Sequence, residues 1–374
     1  KLYLSECHKL FDKKIYKRIK KTGLIKYSIE ELNTFSRTSK LLELVQDFRT
    51  KANASDIDEL GEHLDNVVGR LISDLTAKKQ PDYVIYDFSA ETFDERQAQR
   101  KKEAENPEEY RKFTYREEEI EMNRIFKRGH RGGDIIALGG STNVGKSVET
   151  INVATRAAEI GFNTTVIVSE NSLEQTAGRL DSNLSGYKYD EIQSYGFQSK
   201  SELNQFEREY KKKLDKMIGD RIKVVKVAPN GFSTVTVIRV LNELRAKGWN
   251  TDVLVIDSPT HMKPSVDIKA AGDNYSRISS TALWWELKGL AVEYNLIMFC
   301  TVQLTRDVAK RKDVASIGSD DVAENYEISR IVDVFIILAE TVSLIVAKKI
   351  AKLVRKHRDG PCPKEPILYW SDKS

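Results

Sequence analysis

The densest chemical signal in the chain is Gly140-Ser141-Thr142-Asn143-Val144-Gly145-Lys146-Ser147, which fits G-x-x-x-x-G-K-[ST] at every fixed position. Glycines let a backbone curl until several N–H groups converge on one phosphate. A helix starting at the lysine adds its partial positive charge. Lys146 is then placed to reach the β- and γ-phosphates, and the Ser147 hydroxyl to ligate Mg²⁺. The chemistry implied is binding and cleavage of ATP or another nucleoside triphosphate. A chance glycine-rich turn is the bland alternative. Against it stand an apolar strand pattern just before the motif and a helical pattern just after.

Two acids suit the same chemistry. Val253-Leu254-Val255-Ile256-Asp257 runs four buried-type residues into a carboxylate. That puts an acid at the C-terminal edge of a strand, where an open parallel sheet holds its ligands and where a magnesium shell needs a partner. An Asp ending a strand is common, so the pattern takes its meaning from the P-loop ahead of it. Glu170 follows the strand pattern 164–169 at the same edge. Hydrolysis needs a group to orient or deprotonate water. By spacing alone, however, Glu170 reads as a solvated loop acid or a charge at a helix start.

These residues converge only if the segments between them fold suitably. Short apolar runs at 135–138, 164–168, 222–227, 253–256, 296–302, 334–338, 343–346 and 351–354 predict strands. Helical patterns lie between the first five, at 146–160 with Gly161 as its stop, at 233–247 and at 275–294. Strands alternating with helices predict an α/β domain over residues 127–374, with a mostly parallel central sheet covered on both faces.

Upstream, residues 1–89 read as a small helical N-terminal domain. Ser28-Ile29-Glu30-Glu31 matches a capping box. Ile57, Leu60, Leu64, Val67 and Leu71 share one helical face, as a small core or as a seam against another subunit, and Pro81 ends the pattern. Residues 90–126, rich in Glu, Lys and Arg, read as a charged, solvated linker holding a helix, or as an arm that docks on a neighbouring subunit.

Composition narrows the class without choosing a partner. The chain has 374 residues, 40% hydrophobic and 31% charged, which suits a soluble two-domain protein rather than a disordered one. A net charge of +4 permits a nucleic-acid partner but asks for a local basic patch. Cys7, Cys300 and Cys362 form no CxxC pair, which fits a reducing cytoplasm, and no histidine stands at zinc spacing from them. The apolar stretch 331–347 is broken by Asp333 and Glu340 and reads as two buried strands, not a membrane span. No targeting segment is recognisable, and the chain opens on Lys1, which leaves room for residues ahead of it.

Over residues 133–360 the chain resembles the RecA-fold motor of DnaB-type hexameric replicative DNA helicases, most of all the phage members of that group. The pieces that carry the likeness come in the family's order. Gly133-Asp134-Ile135-Ile136-Ala137-Leu138 leads into the P-loop. Val166-Ile167-Val168-Ser169-Glu170-Asn171 is followed by Arg179-Leu180-Asp181, and then by Val255-Ile256-Asp257. Next come Glu286-Leu287-Lys288-Gly289-Leu290-Ala291 and Cys300-Thr301-Val302-Gln303-Leu304-Thr305-Arg306. Lys356-His357-Arg358-Asp359-Gly360 closes the set. No later piece is specific alone; the ordered set is.

The resemblance implies a RecA-like P-loop NTPase core and assigns roles. Glu170 matches the family's catalytic glutamate, and Gln303 the polar residue that senses the γ-phosphate. Arg358, with Lys356, matches the finger that reaches into the neighbouring subunit's nucleotide. Loops that grip single-stranded DNA correspond to Lys263 and Lys269, and to Arg306, Lys310, Arg311 and Lys312, each of which also reads as a plain surface charge. Residues 319–327 depart from the family's pattern, so no contact is carried over there. The resemblance further implies a homo-hexamer working at a replication fork, with a primase and a helicase loader as partners. Two alternatives stay open: a RecA-type recombinase, and a ring-forming ATPase that acts as a regulatory switch without translocation.

Overall fold

The computed structural model describes residues 90–106, 110–194, 196, 199–218, 220–229, 232–265, 275–305, 307–308, 311, 313–322 and 326–370. The expected helical domain at 1–89 lies outside them. In chain order, helices α1 (Ala90–Glu105) and α2 (Ile120–Ile125) precede strand β1 (Ile135–Gly140) and helix α3 (Lys146–Glu159). Strand β2 (Thr164–Val168) is followed by helices α4 (Leu173–Ser185) and α5 (Lys200–Lys213), then by β3 (Ile222–Lys226), β4 (Phe232–Ser233) and α6 (Thr234–Ala246). Next come β5 (Val253–Asp257), β6 (Met262–Lys263), α7 (Tyr275–Glu293) and β7 (Ile297–Gln303). Strand β8 (Val334–Ala339), helix α8 (Val342–Val346), β9 (Lys349–His357) and β10 (Ile367–Trp370) complete the order.

The main sheet among the described residues has eight strands in the order β10-β9-β8-β1-β7-β5-β2-β3. Its strands from β8 to β3 run parallel; β9 and β10 run antiparallel at one edge. This is the expected α/β architecture, with a mostly parallel central sheet. Side chains alternate between the two faces, as the strand period of two requires. Ile135, Ala137, Leu254 and Ile256 pack with Leu241, Leu283 and Leu287 of α6 and α7. Ile136, Leu138, Val253 and Val255 pack on the other face with Val153, Ala154 and Ala157 of α3. The glycine stop after α3 is Gly161, at φ +91°.

Two expectations differ from the structure. Residues 343–346 were expected as a strand but lie in helix α8. β8 and β9 are antiparallel neighbours, so the chain must reverse between them, and it does so through α8 and Lys348 at φ +50°. Connectivity overrides the β-propensity of that run, and Val342, Ile345 and Val346 are left exposed. The charged stretch before β1 is also not solvated throughout. Phe113, Tyr115, Met122 and Phe126 are buried against β1, β7 and β8.

Buried charges stitch the same region. Lys352 of β9, 6% exposed in its side chain, lies 2.7 Å from Glu119 and 2.7 Å from Glu149 of α3. Burial lowers its tendency to stay charged, but the two carboxylates outweigh that and hold its pKa above the ordinary value. His130 sits among Phe113, Tyr115, Phe126 and Phe299, and its Nε2 faces the Tyr115 hydroxyl at 3.1 Å. Burial, with the His357 ring adding to it, pulls the His130 imidazole down to about 3.

The unfolded chain takes up a proton at this histidine below about pH 6.5, whereas the folded chain refuses it until about pH 3. Stability from His130 is therefore complete above pH 6.5 and is lost as the pH falls. The slope approaches about 1.4 kcal/mol per pH unit. Denaturant unfolding between pH 7.5 and roughly pH 5 is expected to show this slope, and His130→Phe to flatten it whatever its effect on overall stability.

Candidate active site

Register brings the chemistry together. Gly140 of β1 pairs with Gln303 of β7, and Asp257 of β5 pairs with Val168 of β2. All lie at the C-terminal edge of the parallel strands. Asp257 and Gln303 share the sheet face covered by α3, so the P-loop helix meets them directly. The loop between β1 and α3 needs its glycines for distinct reasons. Gly145 caps α3 at φ +103°, a left-handed conformation that side chains disfavour. A Cβ on Gly140 would stand 2.5 Å from Val144 Cγ1 and 3.2 Å from the Leu338 carbonyl oxygen.

Lys146 reaches back over the loop. Its Nζ donates to the carbonyl oxygens of Gly140 (2.9 Å) and Ser141 (2.7 Å) and to Gln303 Oε1 (2.9 Å). Gln303 Nε2 in turn donates to Thr142 Oγ1 at 3.0 Å. Burial lowers the pKa of the lysine, while Asp257 and Glu170 pull the other way. Thr301 Oγ1 donates to Asp257 Oδ1 at 2.9 Å and so orients the carboxylate, which is 7% exposed. Glu170 stands just past β2 with its side chain 62% exposed.

These groups line one cleft of about 830 Å³, a volume in the range of small-molecule sites. All eight P-loop residues except Gly140 and Ser141 face it, together with Glu170, Asp257 and Gln303. The donor set fits a triphosphate with its magnesium ion. It offers backbone N–H groups and an ammonium for the phosphates, and a hydroxyl and a carboxylate, both hard oxygen ligands, for the cation.

Arg358 and Lys356 lie elsewhere. β9 runs antiparallel, so His357 pairs with Val334 at the N-terminal edge of the sheet. Arg358 pairs there with Asp333 Oδ1 at 2.7 Å, its side chain half exposed. Asp333 is buried and also accepts from Ile135 N–H (2.9 Å) and from Lys288 Nζ (2.6 Å). Lys356 Nζ donates to the Arg330 carbonyl at 2.7 Å.

Of the loop cations, Lys263 is exposed on β6. Arg311 is committed internally: it forms a two-pronged ion pair with Asp321 and donates to the Ser316 carbonyl at 2.7 Å. Lys269, Arg306, Lys310 and Lys312 lie outside the described residues. Sequence reasoning missed the cleft-lining Glu149, Asn152, Leu338 and Ile350, and it used Thr301 and Arg179, also lining residues, only as markers of the family likeness. The place of Thr301 in the cleft was findable, since it stands two positions before Gln303 on the same strand face.

A family model described as the DnaB-like helicase C terminal domain matches residues 120–373. The chain belongs to that family. The DnaB-like replicative helicase of Enterobacteria phage T4 is 27% identical over 229 residues, which are 61% of this chain and 46% of that protein. The chain thus matches somewhat less than half the length of that relative. Among solved structures, one described as an ATPase domain superposes with a TM-score of 0.60 at 16% identity, covering 76% of this chain and 95% of that one. A DnaB-like replicative helicase described with its primase interactions superposes at 0.59 and 15% identity, over 92% of this chain and 76% of that one. Among the described residues of this DnaB-like chain, no helix is long and apolar enough to cross a membrane.

The close approach at Gly140 yields a test. Gly140→Ala is expected to weaken ATP binding about tenfold or more, or about 1.4 kcal/mol, in a fluorescent-nucleotide titration, and to lower the melting temperature, because the added methyl must displace Val144. Unchanged affinity would contradict the tight packing of the loop against Val144 and Leu338.

Proposed function

We propose that this chain is the motor of a ring-shaped replicative DNA helicase, a homo-hexamer that hydrolyses ATP and draws one DNA strand through its centre while excluding the other. One observation carries the reading beyond family membership. The phosphate cradle and Arg358 sit at opposite edges of a single sheet, separated by the length of β1, roughly 17 Å. Arg358 therefore serves a neighbour's nucleotide rather than its own.

In this reading the P-loop amides and Lys146 hold the phosphates. Ser147 and Asp257 hold Mg²⁺, whose chemistry when bound is to neutralise charge on the phosphate oxygens. Glu170 orients and deprotonates the attacking water. Gln303, hydrogen-bonded to both Lys146 and Thr142, registers whether the γ-phosphate is present. The neighbour's Arg358, supported by Lys356, stabilises charge developing on the transferred phosphoryl group.

Lys263 and Lys269, with Arg306, Lys310 and Lys312, supply charge for the DNA backbone. Arg311 braces its loop through Asp321 instead. Residues 1–89 are proposed, by analogy, to contact a primase, a helicase loader is a further proposed partner, and the protein is placed in the cytoplasm of a bacterium or a phage-infected host. A RecA-type recombinase and a non-translocating switch share the cradle. The family match and the finger segment support the helicase.

Single-stranded DNA is expected to stimulate ATP turnover, and the protein to separate a forked duplex with ATP and magnesium. Strand exchange without unwinding would favour the recombinase, and a flat ATPase response the switch. Lys146→Ala should abolish turnover; retained activity removes the P-loop from the mechanism. Arg358→Ala and Glu170→Gln, each inactive alone, should partly restore ATPase when mixed in one ring, because their lesions then fall in different composite sites. No recovery at any mixing ratio would overturn the finger acting between subunits.

A further inference from the structure

Immediately after Asp257 the chain makes one 3-10 turn, Pro259–His261, before entering β6. Ser258 caps that turn, accepting from the Thr260 N–H at 3.2 Å. His261 points from it toward the end of β2. Its Nδ1 lies 3.0 Å from Ser169 Oγ, and its Nε2 lies 3.4 Å from Glu170 Oε1. Ser169 is 1% exposed and firmly held. Its N–H donates to the Asp257 carbonyl at 3.0 Å, its own carbonyl accepts from Lys226 Nζ, and its hydroxyl accepts from the Ser258 N–H at 3.3 Å.

The network assigns the histidine's protons. If the ring is neutral, the Ser169 hydroxyl donates to Nδ1 and the proton sits on Nε2, facing the glutamate. If the ring is charged, both nitrogens carry protons and the serine hydroxyl turns to the Asp257 carbonyl, 3.4 Å away. In both cases the proton is on Nε2, the nitrogen 3.4 Å from Glu170 Oε1; the remaining tautomer would set a lone pair beside the carboxylate. A serine, a histidine and an acid in contact also suggest a nucleophilic triad. The burial of Ser169 rules that out, because no substrate carbonyl can approach its hydroxyl.

From this geometry we infer that His261 is a positioning residue: it holds Glu170 in place and links that glutamate to β6 and its exposed Lys263. The inference rests on the assignment of Glu170 as the base for ATP hydrolysis. An exposed glutamate samples many rotamers, and a general base misplaced by about 1 Å can cost about 100-fold in rate. His261 supplies the restraint from one side. It does not line the nucleotide cleft, so its effect falls on the chemical step rather than on ATP binding. Its chain neighbours Met262 and Lys263 pair with Phe232 and Ser233 of β4. A pull on Lys263 therefore reaches Glu170 through a single turn of backbone and one imidazole.

The test uses the full chain with His261→Leu, which keeps bulk without a polar contact, and His261→Gln, whose amide nitrogen reaches toward the position of Nε2. The leucine variant is expected to lower kcat for ATP about 10- to 100-fold with KM within about twofold, and to lose stimulation by single-stranded DNA. The glutamine variant should recover most of the rate. Fluorescent-nucleotide binding confirms that both variants fold. A second readout needs no turnover. With a non-hydrolysable ATP analogue, Glu170→Gln should change the affinity for a fluorescent oligonucleotide in the parent protein but not in the His261→Leu background.

Unchanged kcat in the leucine variant, no recovery in the glutamine variant, or additive effects in the binding cycle would each overturn the role of His261. An ATPase that ignores DNA in the parent protein removes the helicase reading instead, and His261 is then judged on kcat against KM and on the rescue by glutamine.

Discussion

Everything the site does depends on strand register. Side chains on a strand alternate between faces, so shifting β5 or β7 by one residue against β1 would turn Asp257 or Gln303 away from α3. The observed pairing puts Gly140 opposite Gln303 and Asp257 opposite Val168. A phosphate loop, a carboxylate and an amide from three separate strands then meet in one cleft. The register is in turn held by burial on both faces. Ile135, Ala137, Leu254 and Ile256 belong to one core, and Ile136, Leu138, Val253 and Val255 to the other. A slip would have to exchange the two sets.

Two buried charged groups extend this order to the edge strands. Lys352 joins α3, through Glu149, to β9 and to Glu119 ahead of α2. Asp333 joins the start of β1 to α7 through Lys288 and to the end of β9 through Arg358. Removing Lys352 would leave its two carboxylates poorly solvated and unpaired, at about 3–5 kcal/mol for a buried pair. The strand that carries Arg358 is thus fastened at one end near the P-loop helix and at the other near the beginning of β1. Arg358 has a rigid base although its guanidinium is half exposed.

The parts that were legible in the sequence were those with a strong local rule. The P-loop has fixed spacing, the central strands are uninterrupted apolar runs, and Gly161 ends its helix as a left-handed stop. Asp257 was legible as a strand-end acid, whereas Glu170 and Arg358 gained meaning only from the family likeness. What stayed hidden was set by tertiary context. Val342 to Val346 have β-branched composition yet turn a corner, because β8 and β9 must be joined. Phe113, Tyr115, Met122 and Phe126 are too sparse among charges to show a period, and they are buried only because β1, β7 and β8 offer an uncovered face. Arg311 reads as a free cation until Asp321 is brought to it. His261 carries no motif, and its contact with Glu170 depends on β2 and β5 ending side by side.

The separation of cleft and arginine across one sheet gives the protomer a direction. Copies that join through these two features associate head to tail, since the surface that gives differs from the surface that receives. In the proposed assembly, an open row of such copies would end with one site lacking a neighbour's arginine and, at the far end, one arginine paired only with its own Asp333. Bending the row until its ends meet removes both defects at once. Closure of the proposed ring would then be favoured by the chemistry itself, independently of any strand threaded through the middle.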